Sequence, residues 1–216
     1  MSRIPAERMR AYLRLYMVMG SVNCRLDPLY VVREALAGGV SLFQYREKGA
    51  GALTGDRKRQ LGLEIQALCR RIGVPFIVND DIELALELGA DGIHIGQDDE
   101  QADRVRSKIG DKILGVSAHT VAEARLAVEQ GADYLGIGPI YPTRSKDDAH
   151  EVQGVSIIRQ MRAAGIDVPL AGIGGITSTN AAAVMQAGAD GVAVISAITG
   201  GNDIRESVAR IRRLEP

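Results

Sequence analysis

The sequence predicts an α/β protein: a single (β/α)8 TIM-barrel domain over residues 1–216, with a short extra helix before its first strand. Three observations predict it. The tripeptide Gly-Ala-Asp recurs at Gly89, Gly131 and Gly188, each time after a helix-like stretch ("IELALEL", "VAEARLAVEQ", "NAAAVMQA") and before a short apolar run ("GIHI", "YLGI", "GVAVI"). Gly suits the position just past a helix C-terminus because it takes the left-handed conformation without strain. Apolar runs of this length read as strands covered on both faces, as in parallel sheets. Each repeat is therefore a helix–turn–strand corner.

The second observation is that such runs number eight, at residues 13–19, 40–45, 75–79, 92–95, 113–117, 134–138, 169–174 and 191–195. The third is that amphipathic segments such as "TGDRKRQLGLEIQALCRRI" and "VSIIRQMRAAG" fill the gaps. Eight β-then-α units point to a closed barrel near the short end of that fold's range. A doubly wound open sheet is the rival. It is disfavoured because no G-x-G-x-x-G follows the first strand and no break separates two half-sheets. No linker or low-complexity tract interrupts the chain.

The bulk properties narrow the function. Apolar residues make up 46% and charged residues 25%, the mix of an ordinary globular protein. The 26 Lys and Arg nearly balance the 27 Asp and Glu, which argues against a broad basic face for nucleic acid or an anionic membrane. No apolar run has the length of a membrane span, and "MSRIPAERMR" lacks the apolar core of a secretory signal. Cys24 and Cys69 lie far apart and form no metal-type pair. They read as free thiols of a cytoplasmic protein. The sequence leaves a homo-oligomer open.

In such barrels the chemistry sits at the C-terminal ends of the strands. Strand two ends "FQYREKGAG", which puts Gln44, Arg46 and Lys48 on one side, the two cations suited to phosphate oxygens. Strand three ends "VNDD". Asp81 reads as a helix N-cap, while Asn79 and Asp80 face the mouth. Strand four ends "HIGQDD", where Asp98 reads as the cap of the helix beginning "EQADRVR". Asp99 and Asp80 are then free to share a Mg²⁺, which takes one or two carboxylates and completes its shell with water and phosphate. His94 is either a hydrogen-bonded interior side chain or a donor in the pocket wall. Ser117 offers a hydroxyl at the end of strand five, and His119 either lines the site or leads into the next helix. A long loop follows strand six and would bring Thr143, Ser145 and Lys146 over the mouth as a lid. Gly174, Gly175, Ile195 and Ser196 close strands seven and eight, the usual backbone-built phosphate site of this fold.

The residues thus describe two anion sites. One is cation-rich and metal-assisted, suited to a pyrophosphate. The other is glycine-built, suited to a monophosphate. No Cys or Ser is expected to pair with a base as a nucleophile, and no cofactor fingerprint is present. The simplest chemistry is a substitution in which one ligand loses pyrophosphate and a phosphate-tethered second ligand attacks.

The motifs "QYREKG", "PFIVNDD", "GIHIGQDD", "GVSAHT", "YLGIGPIYPTRSK", "GIGGIT" and "GADGVAVISAI", in that order, resemble the thiamine phosphate synthase family over residues 13–198. The resemblance implies an enzyme, a transferase. It would join 4-amino-2-methyl-5-hydroxymethylpyrimidine pyrophosphate to methylthiazole-ethyl phosphate, or its 2-carboxy form, by a dissociative Mg²⁺-assisted substitution. It implies that Gln44 contacts the pyrimidine and that Arg46, Lys48, Asn79, Ser117 and Lys146 hold the pyrophosphate. Asp80 and Asp99 would bind Mg²⁺, and Thr143, Ser145, Gly175, Ile195 and Ser196 would surround the thiazole phosphate. Ser145 stands where Thr is the more usual residue, and the hydroxyl is kept. Two alternatives remain within reach of the same barrel: a thiazole phosphate tautomerase working with a His base, and a non-catalytic sensor of thiamine phosphates.

Overall fold

A computed structural model describes residues 3–143, 145 and 151–213. Helix α1 (Ala6–Leu13) precedes β1 (Leu15–Met19), as the sequence predicts. There follow α2 (Pro28–Gly38), β2 (Leu42–Tyr45), α3 (Gly55–Ile72), β3 (Phe76–Asn79), α4 (Ile82–Glu87), β4 (Gly92–Ile95) and α5 (Ala102–Ile109). The second half holds β5 (Ile113–Ala118), α6 (Val121–Glu129), β6 (Tyr134–Ile137), α7 (Ser156–Ala163), β7 (Leu170–Ile173), α8 (Ala181–Gln186), β8 (Gly191–Val194), α9 (Ser196–Thr199) and α10 (Ile204–Arg212). The strands pair in parallel in chain order, and β1 closes on β8 with Tyr16 opposite Ala193. Each of the eight predicted runs supplies one strand.

Period-two alternation divides the apolar residues into two cores. Tyr16, Val18, Leu42, Ile77, Ile113, Tyr134, Ala171 and Ala193 fill the barrel, and Met9 and Leu13 of α1 join them. Their neighbours along the strands, among them Met17, Phe43, Phe76, Ile93, Leu114 and Leu135, pack outward against Val32, Ile65, Val105, Ile158 and Val208 of the helices. The extra helix is therefore a plug that gives the lower interior apolar partners.

The Gly-Ala-Asp corners have a common bond. Asp91, Asp133 and Asp190 each accept an N–H at the start of the preceding strand, from Phe76 (2.8 Å), Leu114 (2.9 Å) and Leu170 (2.8 Å). At the equivalent corner before β2, the hydroxyl of Ser41 takes the N–H of Leu15 at 2.9 Å. The same device thus sits before every even-numbered strand. An arginine locks two of the corners: Arg106 reaches Asp133 at 2.6 Å and Arg162 reaches Asp190 at 2.6 Å. The N-terminal segment adds Arg3 to Asp133 (2.7 Å) and Arg10 to Asp190 (3.1 Å). Among the described residues no helix is long and apolar enough to cross a membrane.

Candidate active site

An open-mouthed cavity of about 810 Å³ lies at the C-terminal ends of the strands. It is lined by Arg46, Lys48, Asn79, Asp80, Asp98, Asp99, Ser117, His119 and Thr143, with Gly138, Pro139 and Ile173 as an apolar wall. A second, smaller cavity of about 320 Å³ opens beside it between Thr143, Ser145, Gly174, Gly175, Ile195 and Ser196. The two share Thr143, Ile173 and Gly174. Two adjoining chambers, one charged and one built largely of backbone, are the arrangement the strand ends predict.

The charged chamber is shaped by the turn after β3. Asp80 is the sole non-glycine with a positive φ (59°) among the described residues. Asp is one of the few residue types that tolerates this region. Its N–H bonds to the His94 carbonyl at 2.8 Å, prolonging the β3–β4 ladder. Its carboxylate accepts from Lys48 Nζ at 2.9 Å. Burial first, and then the neighbouring Asp99 carboxyl, raise the Asp80 carboxyl above its ordinary value against the pull of Lys48. The next residue does other work. Asp81 caps α4 by accepting from Leu84 N, and Lys58 binds it at 2.7 Å. Burial opposes ionisation of Asp81, but these two donors outweigh it and lower its carboxyl.

The loop after β4 corrects one sequence expectation. Asp98 does not cap α5. That helix starts at Ala102, with Gln101 at its N-cap position and no side-chain cap bond. The physical reason is a local turn: Asp99 Oδ2 accepts Gly96 N at 2.7 Å, which uses up the residues expected to open the helix. Asp98 is left lining the cavity with Asp99. Gln97, the amide between the glycine and the carboxylates, ties the loop to β5 by donating to the Ser117 carbonyl at 2.6 Å.

Both open histidine readings resolve into combinations. His94 is buried and also touches the cavity. His119 lines the cavity and leads into α6, where Thr120 is the N-cap and Glu123 accepts from the His119 backbone N–H (2.7 Å) and pairs with its ring (3.0 Å). A second correction concerns Ser117. The sequence suggests no serine paired with a base, but Ser117 Oγ lies 3.0 Å from His94 Nε2, because β4 and β5 pair in register inside the barrel. Gln44 is only 2% exposed and lies deeper than the cavity lining, with its Nε2 on the Tyr16 hydroxyl. Tyr16 and Tyr134 beside it look in sequence like ordinary core residues. Strand register was the one signal that could have placed them under the site.

The glycine-built chamber depends on a close approach. Gly175 has φ 61°, and a Cβ there would stand 2.4 Å from the Pro142 carbonyl oxygen, so only glycine lets the β7 loop meet the segment after β6. Across the chamber, Ser145 Oγ donates to Ser196 Oγ at 3.2 Å, tying the long loop to the start of α9. Lys146 lies outside the described residues. Cys24 and Cys69 are free, and burial pushes their thiols up to about 11 and about 12, so neither is a ready nucleophile.

A family described as thiamine monophosphate synthase matches residues 15–198, a span that runs from β1 through every strand end of the site. The chain belongs to this family. A thiamine-phosphate synthase of Geobacillus thermodenitrificans is 58% identical over 211 residues, covering 98% of this chain and 96% of the relative. One from Bacillus cereus is 57% identical over 211 residues, with the same coverage of 98% and 96%. Among solved structures, the thiamine phosphate pyrophosphorylase of Pyrococcus furiosus superposes with a TM-score of 0.84 at 32% identity, over 95% of this chain and 96% of that one. The family thus agrees with the resemblance carried by the motifs.

Proposed function

We propose that the chain joins an aminopyrimidine-methyl pyrophosphate to a thiazole-ethyl phosphate, giving thiamine phosphate and pyrophosphate as a cytoplasmic enzyme of small-molecule substrates. The observation that carries this reading is the pair of adjoining chambers with unlike chemistry. Arg46, Lys48, Asn79 and Ser117 suit the two phosphoryl groups of a pyrophosphate. Thr143, Ser145, Gly175, Ile195 and Ser196 suit a monophosphate. The shared wall is where the reacting carbon and nitrogen would meet.

The donor set fits Mg²⁺. The neighbouring Asp99 carboxyl helps raise that of Asp80, so a cation beside Asp80 is favoured, and one or two carboxylates suffice for this ion. Among the described residues no cluster of three or more His, Cys, Asp or Glu offers an all-protein cage. Asp80 and Asp99 would hold Mg²⁺, which when bound neutralises charge on a pyrophosphate.

The reaction breaks the C–O bond of the pyrimidine methylene, and the electron pair leaves with pyrophosphate. The ring amino group of the substrate stabilises the cationic carbon, and the thiazole nitrogen lone pair forms the new C–N bond. No protein nucleophile or proton acceptor is required. Arg46 and Lys48 stabilise the charge that develops on the leaving group. Pro139 and Ile173 keep water, the competing nucleophile, from the cation. The deciding experiment incubates the protein with both phosphorylated precursors and follows pyrophosphate release against Mg²⁺. Release that requires both precursors and the metal is expected. Absence of release under saturating conditions sinks the reading and favours a tautomerase or a sensor.

The second chamber has its own test. Ser196→Asp places a negative charge beside the proposed monophosphate. The KM for the thiazole phosphate should rise roughly tenfold or more, the equivalent of about 1.4 kcal/mol, while the KM for the pyrimidine pyrophosphate moves less. Equal loss of both ligands in a normally folded variant would speak for one shared site.

A further inference from the structure

A chain of buried hydrogen bonds runs from Gln44 to the cavity wall. Gln44 Nε2 donates to Tyr16 Oη, and Tyr16 Oη lies 2.7 Å from Tyr134 Oη. Tyr134 Oη lies 3.0 Å from His94 Nδ1, and His94 Nε2 lies 3.0 Å from Ser117 Oγ. Room for it is made at Gly115, where a Cβ would stand 2.1 Å from Tyr134 Cζ and 2.5 Å from His94 Nδ1. The pairing of Ser117 with His94 would ordinarily suggest an activated serine. The direction of the protons decides otherwise.

An amide NH₂ can only donate. Tyr16 therefore accepts from Gln44 and has one proton to place. If it goes to Tyr134, the Tyr134 proton goes to His94 Nδ1, the ring carries its proton on Nε2, and that proton goes to Ser117. Every donor is then met, and the Ser117 proton is left to point at whatever fills the cavity. With the Gln44 amide nitrogen toward Tyr16, the reverse order leaves the Tyr16 proton without an acceptor in a fully buried side chain, and an unmet buried donor is costly. Burial holds both phenols neutral, so both protons are present to be placed.

We infer that Gln44, Tyr16 and Tyr134 fix His94 as the Nε2–H tautomer and so make Ser117 an obligate hydrogen-bond donor to the leaving phosphoryl oxygens rather than a nucleophile. Tyr16, Tyr134 and His94 are positioning residues. The role of Ser117 toward pyrophosphate rests on the proposed function, whereas the tautomer does not.

The chain has only three histidines, so single substitutions assign their signals in a long-range ¹H–¹⁵N spectrum of the full-length protein. His94 should show the Nε2–H pattern in the wild type. A fluorophosphonate probe should leave Ser117 unlabelled. Tyr134→Phe should lower kcat roughly tenfold, about the worth of one hydrogen bond, and leave the KM for the thiazole phosphate unchanged. Ser117→Ala should then add little to the loss in the Tyr134→Phe background, although it is costly alone. An Nδ1–H pattern in the wild type, labelling of Ser117, or fully additive losses would overturn the inference. The spectrum decides the tautomer even if Tyr134→Phe does not fold. Absence of pyrophosphate release from wild type would count against the proposed function and leave the spectrum standing.

Discussion

Asp80→Asn should fold as the wild type does and lose roughly 10²–10³-fold in turnover, the scale of removing one preorganised electrostatic contact. The fold is expected to survive because Asn, like Asp, accepts the left-handed backbone that this position adopts at φ 59°. The main-chain bond to His94 does not involve the side chain. What goes is the negative charge that Lys48 and Asp99 address. The apparent Mg²⁺ requirement should rise, and excess Mg²⁺ should restore part of the activity. Asp99→Asn should behave alike, since the amide oxygen of Asn can still accept the Gly96 N–H that Asp99 Oδ2 holds. Circular dichroism checks the fold, and pyrophosphate release titrated with Mg²⁺ checks the site. A variant with normal turnover and an unchanged Mg²⁺ response would remove Asp80 from the proposed metal site.

Asp133→Ala should be the most destabilising change outside the site, by about 3–5 kcal/mol, because it breaks a buried ion pair by removing one partner. The Asp133 side chain is 3% exposed. It meets the N–H of Leu114, the guanidinium of Arg106 and that of Arg3. Alanine leaves the first without its acceptor and takes the counter-charge from Arg106, which is itself 16% exposed and keeps the carbonyls of Gly110, Lys112 and Gly131. For a barrel of this size the loss is worth roughly 2–4 °C of melting temperature per kcal/mol. Asp190→Ala has the same geometry but starts from a side chain 17% exposed, so its cost should be smaller. Urea unfolding of the two variants tests the ranking. If Asp190→Ala were the worse, or if Asp133→Ala cost less than 1 kcal/mol (about the worth of a surface pair), the latch would be an exposed ornament of the corner.

The barrel was legible in the chain because its signals are local. Gly89, Gly131 and Gly188 take positive φ after their helices, and the eight apolar runs are buried on both faces whatever lies beyond them. The mouth was legible for a related reason: in a parallel barrel every strand ends at the same rim, so reading strand ends collects Arg46, Lys48, Asp80, Asp99, Ser117 and Ser196 without knowing any distance. Asp81 was read as the cap of α4, and Leu84 N confirms it. Asp98 was misread because cap and cavity residues look alike when two carboxylates stand side by side. Only the turn made by Asp99 onto Gly96 shows that α5 begins later.

By itself, then, the sequence determined the closed α/β barrel, the rim where the cavities lie, and the separation of a charged chamber from a glycine-built one. Each of these follows from periodicity, turn residues and charge within a few positions of one another. The tertiary structure alone decided that both carboxylates after β4 line the cavity, that Ser41, Asp91, Asp133 and Asp190 make the same bond at alternate corners, and that Gln44, Tyr16, Tyr134, His94 and Ser117 form one buried chain. The reason is register. Residues far apart in sequence meet inside a closed barrel according to how neighbouring strands are staggered, and no local pattern in the chain encodes that stagger.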